Sequence, residues 1–156
     1  MGTHAAWTPY LDAIDEAYGR KSWHGTNLRG SLRGVTPAEA LWRPAPGRHN
    51  IYELTLHCAY WKYVVWRKVT GAKRGSFPVK GSNFFPAPDE LTEHGWKLAA
   101  QLLWTMHLEM RKAVAETAPE KLSDKKLLAM VRGIAAHDLY HAGQIQLLKR
   151  LQSGAL

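Results

Sequence analysis

Between Leu127 and Leu148 the apolar residues Leu127, Met130, Ile134, Ile145 and Leu148 recur at three- and four-residue steps, the period of a helix with one buried face. His137 and His141 fall inside that stripe. Side chains at i and i+4 lie one above the other, with Cβ atoms roughly 5–6 Å apart. Two imidazoles so placed converge on one region of the interior. Each must then find a hydrogen-bond partner, as a satisfied core histidine does, or the two must share a divalent cation, because unpaired buried polar groups are costly. A shared cation requires a further ligand from another helix.

A second helical stretch supplies one. Asn50 and Glu53 have the spacing of a capping box, and a helix is expected from about Ile51 to Val69, roughly 28 Å at 1.5 Å per residue. Its inner stripe reads Leu54, His57, Cys58, Trp61, Val64, Val65 and Lys68. His57 alone reads as a core histidine bonded to a backbone carbonyl. Beside His137 and His141 it reads as the third ligand.

The remaining chain also has helical periodicity. Ala5 to Tyr18 is amphipathic through Trp7, Tyr10, Leu11 and Ile14, and a bend or restart is expected near Lys21 to His24. Thr36, Pro37 and Glu39 give a cap, a first-turn proline and a first-turn acid for a short helix ending at Leu41 or Trp42. Thr70 to Pro88 loses the helical period among six glycines and prolines, yet Phe77, Phe84 and Phe85 require it to pack on the domain as a lid or crossover. Asp89 is expected to cap a helix over Glu90–Glu116, on which His94 and His107 read as surface histidines. Ser123 or Asp124 should cap the last helix, ending near Leu151. No repeat, low-complexity tract or strand alternation is present. A four-helix bundle in one domain over residues 1–156 follows, with the long link permitting a crossover.

Charge narrows the function classes. The chain has 21 Lys+Arg against 13 Asp+Glu, but the cations occur as dispersed pairs such as Lys73-Arg74 and Lys125-Lys126, without a long basic run. Solvated helix faces account for most of them, and no nucleic-acid partner is expected. The single cysteine, Cys58, forms no intrachain disulfide. No signal-peptide layout opens the chain, and no apolar run approaches the roughly 20 residues of a membrane span. A cytoplasmic protein without a membrane partner is the expectation.

Three imidazoles on a tetrahedral metal leave a position for water or substrate, as in catalytic zinc sites, and such ligands also suit nickel, copper or iron. Asp138 and Gln144 stand near enough to orient the ligands, although Asp138 reads equally as a surface charge. Gly143 reads either as room for close helix approach or as simple packing. His137-Asp138-Leu139-Tyr140-His141 lacks the glutamate that zinc proteases place after the first histidine, and the paired Glu-x-x-His motifs of di-iron bundles are absent. Trp23, Trp61 and Tyr140 are candidate pocket residues. His24 is a candidate general base or hydrogen-bond donor to a ligand. Core or rim packing is the plainer reading of each of these four.

His57, the long link, and His137-x-x-x-His141-x-Gly143-Gln144-Ile145 together resemble the DinB-like (DinB/YfiT) superfamily. Trp23-His24-Gly25, Trp42-Arg43-Pro44 and Gly47-Arg48-His49-Asn50-Ile51 are similar to it as well. The resemblance implies a bundle with an up-up-down-down course and a homodimer. It also implies a divalent metal, often zinc or nickel, on His57, His137 and His141. Some members of that group are transferases using bacillithiol or isomerases dependent on mycothiol. The expectation is therefore a metal-dependent transferase joining a small-molecule thiol, or water, to an electrophile. The alternative is a non-catalytic metal-binding stress protein.

Overall fold

The computed structural model describes residues 5–154. A 3₁₀ turn at Ala5–Trp7 leads into α1 (Thr8–Tyr18). Two short helices follow, α2 (Leu28–Ser31) and α3 (Pro37–Leu41), then the long helices α4 (Ile51–Thr70), α5 (Glu93–Ala115) and α6 (Lys125–Ser153). A second 3₁₀ turn, Pro119–Ser123, precedes α6. There are no strands among the described residues. None of the described helices is long and apolar enough to cross a membrane.

Local chemistry sets the boundaries. Asn27, Thr36, Asn50, Thr92 and Asp124 each turn a side-chain oxygen onto a first-turn N–H, satisfying donors that a helix start leaves free. Thr36 and Glu39 form the complete capping box. At α4 only half the box forms. Asn50 accepts from the Glu53 N–H, but the Glu53 carboxylate turns instead to Arg43, His49 and the Ala87 N–H. The start of α5 differs from expectation: Thr92, in extended backbone, caps it in place of Asp89. Gly71 and Gly154 close α4 and α6 in the left-handed conformation that glycine adopts without a Cβ clash.

The four long elements, α1, α4, α5 and α6, form an all-α four-helix bundle. Trp7, before α1, donates to the carbonyl of Thr117, just past α5, while Tyr18 at the end of α1 stacks on Trp104 and His107. Helices α1 and α5 are therefore antiparallel. One apolar cluster takes Ile51 and Leu54 of α4, Trp96 and Leu103 of α5, and Ile145 and Leu148 of α6. The other takes Val65 of α4, Met110 and Val114 of α5, and Val131 and Ile134 of α6. Helices α4 and α5 thus run parallel and α6 runs against both. The course is up-down-down-up, not up-up-down-down, because the link from α4 to α5 joins the second and third helices of the bundle and those are the parallel pair. The link packs as its phenylalanines require: Phe85 is buried, and Phe77 contacts Tyr60, Tyr63 and Phe85.

A polar layer separates the two apolar clusters. Lys62 of α4 and Asp138 of α6 form a fully buried ion pair. His107, expected on the surface, lies 3% exposed beside them, its ring 3.7 Å from that of Tyr18. Burial, with Lys62 and Arg111 acting in the same sense, pulls its pKa down to about 2. An unfolded imidazole titrates near 6.5. Below that pH the unfolded chain binds a proton that folded His107 refuses, so stability falls as pH falls, by about 1.4 kcal/mol per pH unit for this one group. His107→Phe keeps the stacked ring and is expected to reduce the acid slope of the unfolding free energy by about that amount between roughly pH 6 and 4. Urea titrations across this range check it; an unchanged slope refutes it.

Candidate metal centre

The last helix and the start of α4 bring the three histidines together. His137 Nε2 lies 3.1 Å from His57 Nε2 and 3.1 Å from His141 Nε2. One nitrogen from each residue lies within 4.8 Å of the other two. Two imidazole nitrogens on a tetrahedral zinc, each at about 2.0–2.1 Å, stand about 3.3–3.4 Å apart. The observed spacing is close to that.

The outer nitrogens decide where the protons are. His57 Nδ1 donates to the carbonyl of Asn83 at 2.9 Å, and His141 Nδ1 donates to Gln144 Oε1 at 2.7 Å. Both rings therefore carry the proton on Nδ1 and turn a bare Nε2 lone pair toward His137. His137 cannot satisfy both with one N–H, and its own Nδ1 is buried without a partner. A cation taking three lone pairs resolves the conflict, so this donor set fits a divalent metal. Burial first, then the neighbouring imidazoles and Lys62, lowers the His137 pKa to about 3; burial lowers that of His141 to about 4 and also lowers that of His57. The rings are neutral at pH 7, as ligands must be.

These nitrogens lie on a cleft of about 830 Å³ whose lining is mainly apolar. Phe84 of the link forms one wall, with His49 stacked on one face at 3.7 Å and His57 on the other at 4.0 Å. Asn83, with φ +64°, directs its carbonyl to His57 while its side-chain oxygen accepts from Trp61 Nε1. Trp61 and Tyr140 line the cleft, and Gln144 braces both His141 and the Tyr140 hydroxyl. His49 also lines it, with Nδ1 bonded at 2.9 Å to Glu53. Arg43 and His49 hold the Glu53 carboxyl down at about 2 against the opposing effect of burial. The sequence held the clue to this pair, since His49 and Glu53 are four residues apart at a helix start.

Other expectations fail. Trp23 is fully exposed, and neither it nor His24 lines the cleft; His24 Nδ1 pairs with Ser22 Oγ in the loop after α1. Asp138 neither supports a ligand nor lies on the surface, since α6 turns it inward to Lys62. Gly143 is exposed, and a Cβ there would meet nothing within 4 Å, so it creates no close helix approach. A second donor group, Cys58, His137 and Asp138, is also compact. Burial pushes the Cys58 thiol well up, so that set offers no thiolate, and Lys62 already holds Asp138 through Oδ2, leaving only the buried Oδ1 without a partner.

No curated protein and no solved structure matches the chain. The sequence model of the DinB superfamily matches residues 20–145, a span that contains α4, the link, α5 and all three histidines. With that match over most of its length, and with the bundle and histidine cluster described above, the chain belongs to the DinB superfamily.

Proposed function

We propose that the protein is a divalent-metal-dependent transferase, with His57, His137 and His141 as the ligands and a small thiol, or water, as the activated nucleophile. The observation that supports this reading is the convergence of three neutral imidazoles on the wall of an open, mainly apolar cleft. Zinc or nickel suits the donor set. A cation held by three neutral ligands keeps its full charge and a free position, and supplies the Lewis acidity that holds a thiol as thiolate or acidifies a water.

The protein's own groups do the rest. Asn83 and Gln144 fix the ring tautomers through Nδ1. Phe84, Trp61, Leu147 and Leu151 offer an apolar surface to the body of an electrophile and exclude water. His49, with one nitrogen on Glu53, has the other free to accept or return a proton.

The test is to load the protein with zinc or nickel and offer bacillithiol, mycothiol and glutathione, each with an aryl halide. Thiol consumption that stops on chelation is expected. No turnover with any thiol, together with no change in the nickel spectrum on adding thiol, would remove the transferase reading. A metal-dependent rise in melting temperature would then leave the non-catalytic reading in place.

A further inference from the structure

A larger concavity than the histidine cleft lies elsewhere. A groove of about 1270 Å³ runs between the loop after α1, α2 and the first half of α5. It shares no lining residue with the histidine cleft. Four cationic side chains line it, Lys21, Arg29, Arg33 and Lys97, and its lining contains no carboxylate. None of the four forms an ion pair among the described residues. The adjacent Arg20 is different: Asp12 and Glu16 neutralise it.

The groove is also held in shape. The Arg29 stem passes Gly19, where a Cβ would sit 3.4 Å from Arg29 Cδ, and its guanidinium lies 5.2 Å from the centre of the Trp104 ring. The Asn27 side chain ties the rim at two points, accepting from the Gly30 N–H and donating to the carbonyl of Arg20. Opposite, Lys97, Gln101 and Trp104 share one face of α5 at four- and three-residue steps. Leu32 and Leu103 add apolar lining.

Four like charges around one hollow repel one another, and a ligand with several negative charges relieves all of them at once. Planar arginine forks suit phosphate oxygens, and one monophosphate would leave about half the charge unmet. The four cations share the lining of a single groove, which suits a compact ligand better than an extended strand. We propose that this groove binds a small molecule carrying two or more linked phosphate groups, independently of the histidine site.

The test is calorimetry on the protein as purified, in about 150 mM salt, with inorganic tripolyphosphate and with ADP as probes. Saturable binding is expected, weakened about tenfold or more by Arg33→Gln/Lys97→Gln. Both side chains are exposed, so the variant should keep the wild-type melting temperature. Binding should persist in His137→Ala, since polyphosphates also chelate metals. Similar affinity for both probes would assign recognition to the phosphate chain; tighter ADP binding would assign part of it to the groove's apolar lining. Absent binding, undiminished binding in the double variant, or loss in His137→Ala would overturn the proposal. So would a short single-stranded DNA displacing ADP at lower concentration than tripolyphosphate does.

Discussion

His137→Ala, purified without a tag, is expected to contain no stoichiometric metal, and the wild-type protein to contain one ion per chain. His137 Nε2 is the middle donor, 3.1 Å from each of the other two, so its loss leaves two ligands with no third to close the set. The effect should also appear in melting. A ligand at a thousand times its Kd stabilises by about 4.1 kcal/mol. At roughly 2–4 °C per kcal/mol for a chain of this size, chelation should lower the wild-type melting temperature by about 8–16 °C and leave the variant unmoved. His57→Ala and His141→Ala should behave alike, while His24→Ala and Trp23→Ala retain the ion. Elemental analysis decides the matter: a full equivalent of metal in His137→Ala would show that the three nitrogens do not share one cation.

The second large effect lies in the polar layer. Lys62 and Asp138 are 0% and 1% exposed, and each is the other's charge partner. Removing one partner leaves an uncompensated buried charge, which costs about 3–5 kcal/mol. Lys62→Met is therefore expected to lower the melting temperature by about 6–20 °C. Asp138→Leu should do the same, since Lys62 would then lack its carboxylate. The double variant Lys62→Met/Asp138→Leu should recover most of the loss, because two apolar groups of similar volume need no partner. Denaturant titration of the three variants forms a double-mutant cycle. Additive losses would show that the two charges are not coupled.

What the sequence disclosed followed how local its signals were. His137 and His141 could be paired by counting four residues along one helix. His57 joined them because an apolar stripe on α4 carried it inward. Capping residues marked the starts of α3, α4 and α6 because each acts within three residues. Asp89 and Thr92 are both capping types, and only the packed position of α5 shows that Thr92 is the cap. The Lys62–Asp138 pair spans 76 residues and leaves no mark in either helix's spacing. The stripe predicted for α4 instead placed Trp61 and Lys68 inward, and both are exposed. Helices α5 and α6 and the link cover the first half of α4 from several sides, so burial there follows no single face. His107 was misplaced for a related reason, since the partner that covers it, Tyr18, comes from the far end of the chain.

Asn83 and Phe84 give the crossover a second duty. The segment that returns the chain to the top of the bundle also grips the far side of His57, through a carbonyl and a stacked ring. Its length and its chemistry are therefore tied together at one place and free at another. Residues added at Lys73 and Arg74 would lengthen an exposed bend, whereas one residue added just before Asn83 would swing the carbonyl away and release the imidazole to turn over. A chain that kept all three histidines could thus lose its ion, or change what approaches it, through an edit in a loop that contributes no ligand.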